Sequence, residues 1–478
     1  MSLKVYNSLT KKKEEFVPTE KDKAKIYVCG PTVYDYIHIG NGRAFVVFDV
    51  VRRFLRYLGY DVTYVMNLTD IDDRIIERAE RENTDTQTIT VKFIEAFFED
   101  TEALGIERAD IYPKATDHVQ DIIELIQSLV DRGLAYQVNG DVFYDVSTFA
   151  SYGSLSGKRI EDLVAGSRVA VDESKKNPLD FTLWKSQKPG EPGWQSPWGM
   201  GRPGWHIECS TMSMKYLGQT FDIHAGGVDL VFPHHENEIA QSEGATGKKF
   251  VKYWLHNGFL QIGGEKMAKS LGNFKTVREI LKKVPTEVMR LFFLQKHYRS
   301  PIDLTDQGLQ AAGSAANRLN RFYQKLQDMV MTEAPLEEES LNEKELQVLN
   351  THRRLKSELV EAMKDDFNTP VAVSRLFDMV RELNALLTKD NLMDGERALL
   401  SQAKQDIEEV DSFFGFLRSK GSGANSELVN GLMEILIDVR KELRSRKIWD
   451  LADKIRQELD KNNIALEDKG QETAWRVK

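Results

Sequence analysis

Apolar and polar positions along this chain switch between two periodicities, and the switches outline its architecture. Ile26 to Cys29 is a short continuous apolar run stopped by Gly30-Pro31, the pattern of a buried strand running into a turn. From Ala44 to Leu58 the apolar residues recur at helical spacing, with Arg52, Arg53 and Arg56 on the remaining face. A β-branched and aromatic run over 61–67 predicts a second strand. It leads into Thr69, Asp70 and Asp72, residues that equally suit ordinary helix capping. Helical patterns follow over about 88–104 and 118–132. Strands alternating with helices predict an α/β protein built on a Rossmann-like, doubly wound parallel sheet.

Between about 115 and 200 the texture changes to a short strand over 142–146, Gly- and Ser-rich turns, and Trp184, Trp194 and Trp198 among prolines and glycines. This predicts a connective insertion between two halves of the sheet. Beyond it, 221–227 reads as a strand ending in a glycine turn, and 233–243 as a helix with Pro233 in its first turn. Residues 250–256 read as the last strand. After Ser300-Pro301, long amphipathic patterns to about Leu417 predict an α-helical bundle whose Met and Phe stripes are core. Lys420-Gly-Ser-Gly-Ala-Asn-Ser426 reads as a linker to a small C-terminal domain. The expected boundaries are 1–115 and 201–256 for the two halves of the sheet and 116–200 for the insertion. A loop region follows over 257–312, then the bundle over 313–420 and the last domain over 421–478.

Composition narrows the class. With 41% hydrophobic and 29% charged residues among 478, the chain is an ordinary globular one. No apolar run approaches the ~20 residues of a membrane span, and the first thirty residues lack a signal h-region, so a cytoplasmic protein is expected. Two cysteines, Cys29 and Cys209, argue against a disulfide scaffold and leave metal binding or catalysis. A net charge of −9 counts mildly against nucleic-acid binding. Its distribution matters, however. Residues 421–478 carry eleven basic and eleven acidic side chains, so the remainder holds the whole negative excess. Arg440, Lys441, Arg444, Arg446 and Lys447 cluster just before Trp449, a pattern of either a solvated helix face or a surface for single-stranded bases.

The candidate chemistry begins where the first strand meets the first helix, the usual ligand crevice of an open parallel sheet and a natural phosphate site. There His38-Ile-Gly-Asn41 offers two donors around Gly40, which lets a ligand pass close to the backbone. Much later, Lys266-Met-Ala-Lys-Ser270 sets two lysines three apart in a glycine-flanked loop. Either segment alone also fits an undistinguished loop. Five of the nine histidines fall between 201 and 260, which marks that region as a site. His234 and Glu238 stand at i and i+4 on one helix face, and with Cys29 and Cys209 they form a Cys₂-His-Glu set suited to Zn²⁺. His235 points about a quarter-turn away and is the poorer ligand. Each cysteine also fits a small buried hydrophobe, and a closed four-ligand site is ordinarily structural.

The ordered pair of His38-Ile-Gly-Asn41 after the first strand and Lys266-Met-Ala-Lys-Ser270 past the last resembles the two ATP-binding motifs of class I aminoacyl-tRNA synthetases. Residues 27–35 (Tyr-Val-Cys-Gly-Pro-Thr-Val-Tyr-Asp), 201–210 (Gly-Arg-Pro-Gly-Trp-His-Ile-Glu-Cys-Ser) and 232–241 narrow the resemblance to the cysteinyl family, over nearly the whole chain. The resemblance implies that His38, Gly40, Asn41, Lys266 and Lys269 hold ATP, which arrives with Mg²⁺. His38, Asn41 and the two lysines would carry catalysis, the lysines neutralising charge that builds as pyrophosphate leaves. It implies an L-cysteine pocket with Gly30, Thr69, Trp205 and Asp229. One Zn²⁺ per chain, on Cys29, Cys209, His234 and Glu238, would take the substrate thiolate as a fifth ligand. It also implies that 257–312 holds the Lys-Met-Ala-Lys-Ser loop and a stem-contact region and that 421–478 is an anticodon-binding domain for tRNA(Cys), with Trp449 and Asp453 in contact, and a monomer is expected.

A zinc-based choice has a physical basis. A thiol titrates near ~8.5 and is deprotonated outright on zinc, whereas an apolar pocket separates cysteine from serine by only ~1–3 kcal/mol. An insertion of about 85 residues is short for a separate editing site, so selection must occur at first binding. Asn41 stands where a second histidine is common in the family, and Ala268 where a serine is common. Two rivals remain on sequence: a ligase joining cysteine to an aminosugar, and a non-catalytic zinc-containing RNA-binding protein.

Overall fold

The computed structural model describes residues 2–157, 174–267, 274–330, 336–389, 391–417, 423–462, 464–469 and 472–477. Four parallel strands form the central sheet in the order Val251–Asn257, Phe221–Gly227, Lys23–Val28, Asp61–Met66. Each is buried over most of its length, the usual consequence of parallel pairing. The two middle strands come from either side of the insertion, and the chain leaves them in opposite directions across the sheet. Their carboxyl ends therefore flank a switch point, the place where such sheets open a crevice. Ala225 O accepts from Cys29 N at 3.1 Å and ties the two strand ends together.

The helix Ile39–Tyr57 leaves this crevice with its apolar face fully covered. Its N-cap is His38, whose Nδ1 accepts from Asn41 N at 3.1 Å while Asn41 Oδ1 accepts from His38 N at 3.3 Å. This reciprocal box satisfies backbone donors that a helix start otherwise leaves open.

The insertion contains the helix Val119–Asp131 and a five-stranded antiparallel sheet ordered Ala135–Val138, Asp141–Tyr144, Phe181–Ser186, Gly199–Pro203, Trp194–Ser196. Its core continues into the helices that follow: Tyr144, Phe181 and Trp184 pack in one cluster with Ile207 and Ala240. Tyr144 donates to Ala240 O at 2.9 Å, and Tyr152 to Asn237 Oδ1 at 2.6 Å. The insertion thus braces the helices Trp205–Leu217 and Glu236–Thr246, whose other sides face the crevice.

The expected helix over 233–243 begins later, at Glu236. Val231–His235 is a wide turn in which Phe232 is extended, and this turn directs both His234 and His235 inward. A proline near a helix start marks a preceding turn as readily as a first helical position, and Pro233 does the former.

Helices Asp306–Met329, Glu343–Lys364, Thr369–Asn384 and Asp394–Phe414 form the bundle. Arg290, 1% exposed, fastens it to the nucleotide-facing half: it donates to Phe414 O (2.9 Å), Leu104 O and Gly105 O (both 3.1 Å) and Asp49 Oδ2 (3.0 Å). Arg290→Ala is expected to cost ~3–5 kcal/mol, since it leaves Asp49 with fewer counter-charges and takes the donor from the carbonyls of buried Phe414 and Leu104. Denaturant unfolding checks this, and a loss under ~1 kcal/mol would refute it.

Contact density divides the chain into Met1–Phe416 and Leu417–Lys478. The second unit holds helices Gly423–Ser445 and Trp449–Lys461 and a hairpin, Ile464–Lys469 with Glu472–Val477, around Met433, Leu459 and Leu466. Of the stretch read as a linker, 420–422 lies outside the described residues, and 423–426 already belongs to the helix.

Candidate active site and metal centre

A cavity of about 320 Å³ opens at the switch point. Cys29, Gly30, Trp205 and Asp229 line it, as do His38, Gly40, Asn41 and Met267. One continuous cleft therefore runs from the first cysteine to the start of the Ile39–Tyr57 helix.

Gly30 and Gly40, two of the glycines on the wall, have steric reasons. A Cβ on Gly30 would lie 1.7 Å from Asn67 O, so only glycine lets the two strand ends close. Asn67 Oδ1 also accepts from Gly30 N at 2.8 Å. A Cβ on Gly40 would lie 3.0 Å from the His38 ring. Gly30→Ala is therefore expected to lower stability by ~3 kcal/mol, the upper range of overpacking, and to lower Tm visibly in calorimetry. An unchanged Tm would show that the strand ends part without cost.

An imidazole that accepts at Nδ1 carries its proton on Nε2, so the cap sets His38 as an Nε2 donor. The chain just beyond the second motif is pinned to this point. Ile39 N donates to Lys275 O and Val277 N to Ile37 O, both at 3.0 Å, and Phe274 sets its ring against His38 at 5.5 Å between centroids. Backbone hydrogen bonds thus join the first motif to the chain at 275–277. Lys266 ends the strand Glu265–Lys266, its side chain outside the description, and Lys269 lies outside the described residues.

At the other end, ligand atoms of Cys29, Cys209, His234 and Glu238 all lie within 4.8 Å of one another, and all four residues are buried. Cys29 Sγ is 3.8 Å from Glu238 Oε1, and His234 Nε2 is 3.1 Å from the same oxygen. Ligands around a tetrahedral zinc with bonds of ~2.0–2.3 Å stand ~3.3–3.8 Å apart, so the donors fit such an ion with little movement. The outer atoms are held as well: His206 Nδ1 meets His234 Nδ1 at 2.9 Å, and His224 Nε2 meets Glu238 Oε2 at 2.8 Å. Such partners fix which nitrogen or oxygen faces an ion. Trp205 packs on His234 with centroids 4.3 Å apart.

The charges fit too. The hydrogen bond from Cys29 brings the Cys209 thiol down to about 6 despite burial, whereas burial pushes Cys29 up. Burial opposes both charges of the His234–Glu238 pair, yet Glu238 and Cys209 hold His234 up to about 10. His224 and His234 hold Glu238 down to about 2. The pocket prefers a thiolate and a carboxylate around one positive centre.

His235 is closer than its position in the sequence suggests. Its Nε2 lies 3.2 Å from Cys29 Sγ, and Cys29, His224, His235 and Glu238 form a second set within 4.8 Å. The wide turn before the helix swings it inward, which helical spacing could not reveal. The two sets share Cys29 and Glu238, so they are alternatives for one ion. His235 Nδ1 is taken by His256 Nε2 at 2.7 Å.

Thr69 stands behind the cavity wall, 1% exposed, donating to Glu208 Oε2 at 2.9 Å and accepting from Asn67 Nδ2 at 3.1 Å. The sequence points to His224 only as one of the five clustered histidines and gives no role to Asn67 or Glu208. A polar residue just past a strand end was the one cue for Asn67. In the second unit Trp449 is 52% exposed at a helix start and Asp453 is exposed one turn later, while Arg440 of the basic cluster is buried.

Residues 15–314 match the family model of the class I (C) tRNA synthetase catalytic domain, and 358–418 match the DALR domain. A cysteine--tRNA ligase of Carboxydothermus hydrogenoformans is 50% identical over 99% of this chain and 100% of its own. One from Thermococcus onnurineus is 49% identical over 100% and 99%. In fold, the Mycobacterium tuberculosis methionyl-tRNA synthetase in complex with methionyl-adenylate superposes with a TM-score of 0.64 at 17% identity, over 82% of this chain and 92% of that one.

Proposed function

The chain belongs to the class I (C) tRNA synthetases, and on that premise we propose how its residues act as a cysteine–tRNA ligase. It joins L-cysteine to ATP as cysteinyl-adenylate with release of pyrophosphate, then passes the cysteinyl group to the 3′-terminal ribose of tRNA(Cys). The observation that carries the reading is the single cavity reaching from Cys29 and Trp205 to His38, Gly40 and Asn41.

The carboxylate of the amino acid attacks the α-phosphorus in line, so the protein positions and neutralises and supplies no nucleophile. His38 donates through Nε2 to the phosphates, and Gly40 lets them approach the helix amino end. Asn41 closes the cap with its carbonyl and keeps its amide for the nucleotide. Lys266 and Lys269 close over the triphosphate, which brings its own Mg²⁺. Trp205 and Asp229 enclose and orient the amino acid, Gly30 admits it to the strand ends, and Thr69 braces the wall through Glu208. Cys29, Cys209, His234 and Glu238 hold one Zn²⁺, which supplies a thiophilic Lewis acid that distinguishes sulfur from oxygen. Trp449 stacks on an anticodon base, and Asp453 stands beside it. Among the described residues no helix is long and apolar enough to cross a membrane.

Exchange of labelled pyrophosphate into ATP tests the first half. It is expected with cysteine and absent with serine, and charging of tRNA(Cys) but not of an aminosugar tests the second. Absence of cysteine-dependent exchange would reject the reading in favour of a non-catalytic RNA-binding protein.

A further inference from the structure

Arg43 lies early in the helix Ile39–Tyr57, two residues beyond Asn41, and is fully buried behind the cavity wall. Its guanidinium spans two chain segments. Nη1 donates to Gly258 O at 2.7 Å and Phe259 O at 3.0 Å; Nη2 donates to Ser300 O at 2.6 Å, with His297 O and Tyr298 O farther off at 3.4 Å. Arg52 and Arg290, equally buried, both reach the Asp49 carboxylate, whereas among the described residues Arg43 has no acid within ion-pair distance. Burial brings its guanidinium down to about 10, so it remains a cation at neutral pH. A buried charge without a counter-charge is costly, and an apolar side chain would fill the space more cheaply. What the guanidinium adds is direction: a planar fork that holds carbonyls of two segments at fixed places.

Both segments lead to the site. Gly258, Phe259 and Leu260 line the cavity together with Gly40. A Cβ on Gly258 would lie 2.6 Å from Ser300 C, so the segments touch where Arg43 grips them. Beyond that point, Leu260–Ile262 pairs in parallel with Ile302–Asp303 and antiparallel with Glu265–Lys266, where Gln261 stands opposite Lys266. Asp303 Oδ2 also accepts from Gly264 N at 3.1 Å.

We propose that Arg43 is a positioning residue for ATP: from behind the wall it fixes residues 258–260, and through them the strand that ends in Lys266, relative to the helix start at His38 and Gly40. The assignment rests on the ligase reading above, in which those two ends of the cavity grip one triphosphate. A nucleotide held at two places gains most when their separation is set before it arrives. One side chain tied to both removes that freedom. The cysteine end hangs on other elements, the strand end at Cys29 and the helices Trp205–Leu217 and Glu236–Thr246, so the effect of Arg43 falls on ATP and not on the amino acid.

The test is pyrophosphate exchange by the full chain and by Arg43→Lys, with ATP and cysteine varied in turn and Tm measured by calorimetry. Lysine keeps the charge and loses the fork. KM for ATP is expected to rise ~10-fold or more while KM for cysteine stays within ~2-fold of wild type. A purely structural role would lower Tm and apparent kcat and leave both KM values alone. That result would overturn the assignment, as would parallel rises for the two substrates. Where Arg43→Lys does not fold, Asp303→Ala reads the same strands from their far end, since it releases Gly264 N. There a rise of ~3-fold in KM for ATP alone is expected, and an unchanged value would overturn the assignment. A wild-type chain without cysteine-dependent exchange would reject the ligase reading itself, and the role of Arg43 with it.

Discussion

Cys209→Ser is expected to reduce bound metal from one ion per chain to none and to lower cysteine-dependent pyrophosphate exchange by ~10³-fold or more, equivalent to ~4 kcal/mol of transition-state stabilisation. Cys209 is 1% exposed, and serine occupies nearly the same shape, so the fold should survive. What changes is the donor. The Cys209 thiol, brought down to about 6 by its hydrogen bond with Cys29, is the most readily ionised sulfur of the set, and a hydroxyl does not ionise in this range. His234 and Glu238 would remain, paired with each other at 3.1 Å, as an ion pair closed on itself. Metal analysis and exchange measured on one preparation, with circular dichroism to confirm folding, check both losses. Full exchange in a metal-free variant would remove the ion from the mechanism.

His38→Ala is expected to lower exchange ~10²–10³-fold, the range seen when one preorganised donor to developing charge is lost. His38 has two duties, and a second variant separates them. As N-cap, its Nδ1 accepts from Asn41 N, and losing that costs ~1 kcal/mol. Asparagine caps well, so His38→Asn should recover most of the stability while exchange stays low. Recovery of exchange alongside stability would show that His38 acts only through the helix start. Thermal melts and exchange rates together decide the matter.

The sequence was most informative where one face or one end of an element carried the signal. The apolar run before Gly30 and the glycine-rich end of 221–227 follow from local periodicity and are found where it places them; His234 and Glu238 do meet, at 3.1 Å, but His234 lies in the turn before the helix that starts at Glu236. The cysteines illustrate the opposite limit. Cys29 and Cys209 are 180 positions apart, and nothing in the spacing brings them together. A parallel sheet that reverses direction at its centre does so. His235 escaped because a wide turn, and not a helix, precedes Glu236. Asn67 and Glu208 escaped because their work, holding Gly30 and Thr69, exists only once the strand ends are side by side.

In the proposed reading, selection of cysteine depends on dispersed side chains gathering around one thiophilic cation that meets the substrate sulfur. Zinc K-edge absorption of the purified protein, recorded with and without L-cysteine, tests this most directly. Two sulfur neighbours are expected in the free protein and a third when cysteine is added, with no third sulfur when serine is added. A protein without bound zinc, or a sulfur count that cysteine leaves unchanged, would contradict it.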